Sequence, residues 1–235
     1  MGVDEKELIV VTGAARGVGH ATARSLALDH GRRVLAVSRN ERALEELRDE
    51  CEGKVEILIA DLSREDTPAA IRKVVAERRV IGLVHNAGLF HSSPIGDHER
   101  GQLEKVFLIN ALVPLMITQA LIDRMKGDPS SHIVHISSMG GFQDSVKFPG
   151  LIGYSASKAA MACMAQCLAE EFKDMGIRSN CLALGSVDTE MLRQAFPGFK
   201  AGATAEAMGA YVARFVLEGH TLYNGKVLPV AVTTP

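Results

Sequence analysis

Seven short runs of apolar, mostly β-branched residues alternate along the chain with longer amphipathic segments, and this alternation constrains the fold more than any other feature. We predict strands at 8–11, 33–38, 54–60, 80–85, 132–137, 177–183 and 226–232. We predict helices, from apolar residues at helical spacing, at 17–30, 41–51, 66–78, 99–126, 154–175 and 204–218. Strands that alternate with helices in this way predict an α/β fold, a Rossmann-type doubly wound sheet of seven parallel strands with helices on both faces.

Length and charge predict one domain and argue against several classes of partner. With 235 residues, 47% of them hydrophobic, we expect a single domain over residues 1–235 with a substantial core. The net charge is −2, and the 26 basic and 28 acidic residues are spread along the chain, which does not favour binding to nucleic acid or to an anionic membrane. We expect no apolar run long enough to span a membrane, and residues 1–7 do not resemble a signal peptide. These features predict a cytoplasmic protein without nucleic-acid or membrane partners.

The four cysteines do not have the spacing of a metal site. Cys51, Cys163, Cys167 and Cys181 lie within predicted helices and strands, without C-x-x-C or histidine-rich neighbours. We therefore interpret them as reduced, small core residues and expect no bound metal.

A glycine-rich turn follows the first predicted strand, in the stretch Thr12–Gly19. Gly13, Gly17 and Gly19 allow a tight turn and a close approach of the backbone to a pyrophosphate. The N-terminus of the following helix attracts such an anion through its free N–H groups and its dipole. A packing turn is the alternative, but the order strand, turn, helix indicates a dinucleotide site.

The end of the second predicted strand bears on the choice of dinucleotide. Sites that prefer NAD usually have an acidic residue there for the ribose 2′-hydroxyl, whereas this strand ends in Ser38 and Arg39. Arg39 can pair with a 2′-phosphate, Ser38 can donate a further hydrogen bond, and Arg16 adds a second cation near the same corner. Either arginine alone would suit a solvated surface position. Together they favour NADP(H) over NAD(H).

Two further strand ends carry candidate cofactor contacts. Asp61 and Leu62 follow the third strand, and Asn86, Ala87 and Gly88 follow the fourth. Asp61 can accept a hydrogen bond from the adenine amino group, although such a residue is more often a helix cap or turn residue. Small residues at Ala87 and Gly88 let the backbone approach the ribose.

Tyr154 and Lys158 stand four residues apart in a predicted helix, which places the phenol and the ammonium on one face. A free tyrosine has a pKa of roughly 10, and a neighbouring cation favours the phenolate. Lys158 is therefore expected to lower the pKa of Tyr154 toward a useful range. Ser138, at the end of the preceding strand, can hold a substrate oxygen. An isolated pair of this kind is usually an ordinary helix surface, so the interpretation depends on the other motifs.

Taken together, these motifs resemble those of the classical short-chain dehydrogenases/reductases, over essentially residues 5–235. The matching elements are Thr12–Gly19, Asn86–Gly88, Ser138, Tyr154 with Lys158, and Gly185–Thr189. The resemblance implies a catalytic set of Asn110, Ser138, Tyr154 and Lys158, with Ser137 as the competing serine. It also implies cofactor contacts from Gly13, Arg16, Gly17, Val18, Gly19, Ser38, Arg39, Asp61, Leu62, Asn86, Ala87, Gly88, Tyr154, Lys158, Val187 and Thr189.

The resemblance assigns individual roles as well. Asn110 would hold a water that links Lys158 to solvent, although it could instead bond to its own helix backbone. Lys158 would bind the nicotinamide ribose, and Thr189, with Val187 nearby, would contact the carboxamide. A homodimer or homotetramer formed through the helices at 99–126 and 154–175 is expected.

We therefore expect an NADPH-dependent reductase of a small-molecule carbonyl compound, or the reverse alcohol dehydrogenase, with a 3-oxoacyl-thioester reductase as one specific form. The segment from Ser138 to Tyr154 is longer than is usual in the family, and the segment after Thr189 is short. This predicts an open site whose specificity depends on the longer loop, including Phe142, Gln143, Lys147 and Phe148. A non-catalytic NADP-binding regulator or sensor is the alternative.

Overall fold

A computed structural model describes residues 6–128 and 130–232, and its main feature is a parallel sheet. The strands are β1 (Glu7–Thr12), β2 (Val34–Ser38), β3 (Val55–Ile59), β4 (Arg79–His85), β5 (Ser131–Ser138), β6 (Ile177–Leu184), β7 (Val187–Asp188), β8 (Ala203–Thr204) and β9 (Val227–Val230). Seven of them form one sheet in the order β3-β2-β1-β4-β5-β6-β9, and every pairing in it is parallel. The chain reverses its direction across the sheet between β1 and β4, which opens a crevice at the carboxyl ends of these strands.

Helices cover both faces of this sheet. They are α1 (Gly17–Leu28), α2 (Glu41–Glu50), α3 (Thr67–Val75), α4 (Arg100–Phe107), α5 (Val113–Met125), α6 (Ile152–Glu171), α7 (Glu190–Ala195) and α8 (Ala205–Glu218). Local capping sets several of their starts: Asn40 and Thr204 accept hydrogen bonds from the backbone N–H groups of Ala43 and Ala207.

Strand β1 shows why the strands are apolar throughout rather than alternating. Ile9 and Val11 face a core cluster with α1 and α8, while Leu8 and Val10 face a second cluster with α3 and α5. All four are at most 1% exposed. A strand covered on both faces has no solvent side, so a continuous apolar run is the expected sequence.

Helices α4 and α5 are joined by a π-helical turn, Leu108–Leu112, into one continuous rod. By length and composition this rod, Arg100–Met125, could cross a membrane: its most apolar 18-residue window has a mean hydropathy of 1.8, and 39% of that window is buried. The expectation of no such segment considered uninterrupted apolar runs, and Asn110, Thr118 and Gln119 interrupt this one. Because these three side chains are uncharged, the segment is still apolar enough on average to pass this test. Its buried face packs on α3, α6 and β4.

The predicted fold is confirmed, with three local differences. The helix predicted to start at residue 154 begins at Ile152, and the one predicted at 99–126 contains the π-helical turn. Between the strand predicted at 177–183 and the helix predicted at 204–218, where no element was predicted, the structure holds the short helix α7 and the small parallel pair of β7 and β8. Runs this short give no readable periodicity in a sequence.

Candidate active site

A cavity of 1360 Å³ lies at the carboxyl ends of the parallel strands. It collects residues from the turns that follow β1, β2, β3, β4, β5 and β6. Of the predicted site residues, all line this cavity except Gly19 and Asn110. The sheet therefore brings together positions that lie up to 176 residues apart in the sequence, from Gly13 to Thr189.

The glycine turn is packed so closely that side chains would not fit. A Cβ atom at Gly13 would lie 2.8 Å from the Cα of Ala87, and one at Gly19 would lie 2.2 Å from Nδ2 of Asn86. Gly13 and Gly17 have φ angles of +68° and +57°, in the left-handed region that glycine tolerates best. The turn leads into the first turn of α1, whose N-cap side chain makes no hydrogen bond to the helix. This cradle of backbone and uncapped N–H groups fits the pyrophosphate of a dinucleotide.

Asn86 and Thr12 join the glycine turn to the loop after β4. Nδ2 of Asn86 donates to the carbonyl oxygens of Thr12 and Gly13, at 3.0 and 3.2 Å. Oγ1 of Thr12 accepts from the backbone N–H groups of Asn86 and Ala87, both at 3.2 Å. Asn86 therefore holds two cofactor-side loops in register.

The residues at the end of β2 form the corner of the cavity that is expected to distinguish NADP(H) from NAD(H). Ser38 and Arg39 line the cavity, and the Arg39 guanidinium is 75% exposed and lies 3.8 Å from Oδ2 of Asp61. Oδ1 of Asp61 accepts hydrogen bonds from the backbone N–H and hydroxyl of Ser63, at 2.9 and 2.8 Å. These bonds, with a smaller contribution from Arg39, lower the pKa of Asp61. Asp61 thus caps a turn and remains an anion beside the corner.

Arg16 reaches a different carboxylate. Its guanidinium pairs with Glu190 at the start of α7, on the other side of the glycine turn. The two arginines that the sequence placed at one corner therefore contact two separate acids, Arg16 with Glu190 and Arg39 with Asp61.

Ser138 and Tyr154 both line the cavity, where the Ser138 hydroxyl is close enough to the phenol to act on the pKa of Tyr154. Oγ of Ser138 also accepts from the backbone N–H of Gly140, at 3.1 Å. Ser137 points the other way: it is 4% exposed and donates to the carbonyl oxygen of Lys158 at 2.8 Å. Of the two serines, Ser138 is the one that meets the phenol, because successive residues of a strand point to opposite faces.

Lys158 is buried, with 4% exposure, and its Nζ donates to the carbonyl oxygen of Ile136 at 2.8 Å. Burial lowers the pKa of Lys158 to about 8. Burial raises the pKa of Tyr154, and the nearby Ser138 hydroxyl opposes this shift. The expected lowering of the Tyr154 pKa by Lys158 is therefore absent from the described structure, in which the ammonium is bound to a backbone carbonyl.

Asn110 lies in the π-helical turn, fully buried, and joins three segments. Its Oδ1 accepts from the backbone N–H of Leu89 at 2.7 Å. Its Nδ2 donates to the carbonyl oxygen of Leu89 at 3.0 Å and to Oγ of Ser157 at 2.9 Å. Both amide hydrogens are thus used by protein groups. A Cβ atom at Gly88 would lie 3.2 Å from Nζ of Lys158 and 3.5 Å from Oδ1 of Asn110, so Gly88 is packed against both side chains.

Val187 and Thr189 close the cavity from the segment after β6. Val187 is 6% exposed, and Oγ1 of Thr189 accepts from the backbone N–H of Leu192 at 3.2 Å, which caps α7. The methyl group of Thr189 faces Gly17, where an added Cβ atom would come within 3.2 Å. Thr189 thereby places the start of α7 against the glycine turn.

The outer part of the cavity is apolar, and most of its residues were not predicted. From the loop predicted to determine specificity, Phe148 lines the cavity but Phe142, Gln143 and Lys147 do not. The Lys147 ammonium donates instead to the carbonyl oxygen of Phe142. The unpredicted lining residues include Leu89, Phe90, Met139, Leu151, Met191, Leu192, Phe196 and Phe199. Most of them follow β4 or β6, and doubly wound sheets place their ligand sites beyond the carboxyl ends of such strands.

The prediction of four core cysteines was wrong for two of them. Cys51 and Cys181 are buried, but Cys163 and Cys167 are exposed on α6. Their positions one turn apart place them on the solvent face of that helix. Within the described ranges, no group of three or more histidine, cysteine, aspartate or glutamate side chains is arranged to hold a metal ion.

Known proteins resemble this chain over most of its length. The family model of the short chain dehydrogenases matches residues 7–198. Human estradiol 17-beta-dehydrogenase 11 is 32% identical over 208 residues, which cover 85% of this chain and 67% of that protein. The 3-oxoacyl-acyl-carrier-protein reductase of Chlamydia muridarum is 32% identical over 190 residues, with 78% and 75% coverage. The chain spans about two thirds of the length of the estradiol dehydrogenases that it matches.

Solved structures extend this likeness to the fold. A protein of Beutenbergia cavernae, solved with NADP bound at low occupancy, superposes with a TM-score of 0.85 at 29% identity, covering 96% of this chain and 95% of that one. A 3-ketoacyl reductase of Brucella melitensis, solved with NADH, superposes with a TM-score of 0.84 at 23% identity and covers 97% of each chain. At that identity the second likeness concerns the fold alone.

Proposed function

The chain belongs to the short-chain dehydrogenase family, and from this premise we propose that it is an NADP(H)-dependent oxidoreductase that interconverts a carbonyl compound and its secondary alcohol. One observation carries the proposal: Ser138, Tyr154 and the buried Lys158 line the same cavity as the glycine turn. Acid–base groups beside a dinucleotide cradle are what a hydride-transfer enzyme requires.

The roles follow from the positions of the side chains. When bound, a nicotinamide dinucleotide supplies or accepts the hydride. In reduction, the Ser138 hydroxyl holds the substrate oxygen and the Tyr154 phenol donates the proton as negative charge develops on that oxygen. The buried Lys158 supplies positive charge behind this pair, and the family resemblance also assigns it to the nicotinamide ribose. Asn110 positions the loop at Gly88 and Leu89, which lies between Asn110 and Lys158.

The preference for NADP(H) is supported by the corner after β2. Arg39 is exposed at the cavity edge, and a 2′-phosphate there would gain a charge-assisted pair in place of the weak contact to Asp61 at 3.8 Å. Arg39→Asp is expected to shift the preference, measured as the ratio of Kd values for NADPH and NADH, toward NADH by at least about tenfold.

Arg42→Asp is the matched control for this change. Arg42 is an exposed arginine three residues further on, and it pairs with Glu46 of its own helix rather than lining the cavity. An unchanged ratio in Arg39→Asp, or an equal change in Arg42→Asp, would show that another group selects the dinucleotide.

The activity itself is tested by titrating the purified protein with NADPH and NADH and then adding a panel of ketones, diketones and acyl thioesters. Oxidation of NADPH by a carbonyl compound supports the proposal. Tyr154→Phe is expected to lower kcat by at least about a hundredfold while the Kd for NADPH stays unchanged, since it removes only the proton donor. Tight NADPH binding without turnover by any member of the panel would favour the sensor alternative.

We also propose a cytoplasmic homo-oligomer. Leu112, Leu115 and Met116 on the rod and Ile152 at the start of α6 are between 38% and 56% exposed, an apolar surface that a second copy would cover. Sedimentation of the native protein tests this directly, and a monomer at micromolar concentration would contradict it. Cell fractionation tests the location.

A further inference from the structure

Four of the eight phenylalanines in the chain line the cavity described above. Phe90 follows β4, Phe148 lies in the loop before α6, and Phe196 and Phe199 follow α7. Three separate loops therefore contribute phenyl rings to one wall. We call these four residues the phenylalanine wall.

The rings form a continuous series that starts at the catalytic phenol. The centroid of Phe90 lies 5.2 Å from that of Tyr154 and 6.4 Å from that of Phe196. Phe196 in turn lies 6.0 Å from Phe148 and 6.4 Å from Phe199. These separations suit tilted and edge-to-face contacts between aromatic rings. A group attached to a carbonyl carbon held at Tyr154 would run along this wall.

Two of these rings remain exposed to water. Phe148 is 42% exposed and Phe199 is 58% exposed. Covering them with an apolar group would remove apolar surface from water, which is favourable. The cavity, at 1360 Å³, exceeds the roughly 300–1000 Å³ common for small-molecule sites, so a bulky group fits beside a dinucleotide.

Most charged side chains that line the cavity are paired with other groups of the protein. Arg16 pairs with Glu190, Arg39 with Asp61, and Lys158 with a backbone carbonyl. Uncharged lining residues come from the loops that carry the phenylalanine wall, Leu89 and Leu151, and from helix α7, Met191, Leu192 and Ala195. Lys105 on α4 also lines the cavity, so an anionic substrate is the competing outcome.

We propose that the carbonyl substrate is an uncharged compound with a bulky, planar apolar group that lies against the phenylalanine wall. This inference rests on the proposed oxidoreductase function, and it specifies the substrate class of that site. An aromatic or fused-ring ketone satisfies it, whereas a short hydroxy acid or a sugar does not.

The test compares three ketones that share one six-membered ring carbonyl: cyclohexanone, 4-phenylcyclohexanone and 4-oxocyclohexanecarboxylate. With NADPH, kcat/KM for 4-phenylcyclohexanone is expected to exceed that for each of the other two by at least about tenfold. Phe196→Ala should remove most of this preference, and Phe196→Leu, which keeps apolar volume but loses the ring, should reduce it. Phe142→Leu is the control, because Phe142 lies in the same loop as Phe148 but does not line the cavity.

A second measurement separates this inference from the proposed function. Calorimetry gives the affinity of the NADP⁺-loaded protein for 4-phenylcyclohexanone, in the native chain and in Phe196→Ala. If no ketone is reduced but this affinity falls at least about tenfold in Phe196→Ala, the apolar ligand class stands and the oxidoreductase function fails.

The remaining outcomes overturn the inference. Reduction that favours cyclohexanone or the carboxylate would reject the apolar class while the oxidoreductase function stands. A preference for 4-phenylcyclohexanone that survives in Phe196→Ala would show that the phenylalanine wall does not select the substrate. Absence of both turnover and ring-dependent binding would reject both proposals.

Discussion

Replacement of Asn110 by leucine tests how much the hydrogen bonds from Asn110 to Leu89 and Ser157 stabilise the fold. Asn110→Leu keeps a similar volume but leaves the backbone N–H and C=O of Leu89 without the partners that they have at 2.7 and 3.0 Å. Ser157 loses one partner but keeps its bond to the carbonyl oxygen of Tyr154 at 2.7 Å. Leaving a buried polar group unpaired costs about 1–3 kcal/mol.

The size of the effect follows from the burial of these groups. Leu89 is only partly buried, so we use the lower end for each of its two groups and expect a loss of about 2–3 kcal/mol in the free energy of unfolding. For a chain of this length the same loss corresponds to a decrease in Tm of about 4–12 °C. Urea unfolding followed by circular dichroism measures it, provided that the m value is unchanged.

Asn40→Ala is the matched control. Asn40 caps α2 through one exposed hydrogen bond, to the backbone N–H of Ala43 at 3.2 Å. Its loss should cost about 1 kcal/mol. If Asn110→Leu costs no more than Asn40→Ala, then the groups of Leu89 find other partners, and the reasoning about Asn110 is wrong.

Three further predictions concern pH and specificity. His85, His132 and His135 are buried, and burial lowers the pKa of His85 and His132 to about 3 and that of His135 well below 6.5. The unfolded chain therefore binds more protons than the folded chain, so the free energy of unfolding is highest above pH 6.5 and falls as the pH is lowered. Uptake of three protons on unfolding gives a slope that approaches about 4 kcal/mol per pH unit near pH 5. A slope smaller than uptake of one proton would give contradicts this prediction. Because the charged form of Lys158 is needed and burial lowers its pKa to about 8, kcat/KM for reduction should fall as the pH rises through about 8, and a flat profile up to pH 10 would exclude the role. Shortening the loop 144–150 should change the substrate preference at constant NADPH affinity, and a large loss of that affinity would refute the separation of the two sites.

Local patterns explain why much of this site could be read from the sequence. The glycine turn, Ser138, and Tyr154 with Lys158 each sit at a strand end or on one helix face, and such placement depends on residues only a few positions away. The parallel order then brings the strand ends to one edge of the sheet. The cavity accordingly contains most of the predicted site residues.

Other features could not be predicted from the sequence because they depend on contacts between distant segments. Whether Arg16 turns toward Arg39 or toward Glu190 depends on a pairing across 174 positions. The exposure of Cys163 and Cys167 depends on which face of α6 meets β5 and β6. Neither is encoded in local spacing.

The sequence by itself determined the order of the elements and the doubly wound class, and it predicted the acid–base pair, because periodicity and motif spacing are properties of neighbouring residues. Only the tertiary structure decided that Asn110 holds the loop at Leu89 and that the pKa of Tyr154 is raised. It also decided that phenyl rings from three loops meet beside the phenol. Burial, and contact between distant segments, exist only once the chain has folded, so the pKa values and the apolar wall could not be read from neighbouring residues.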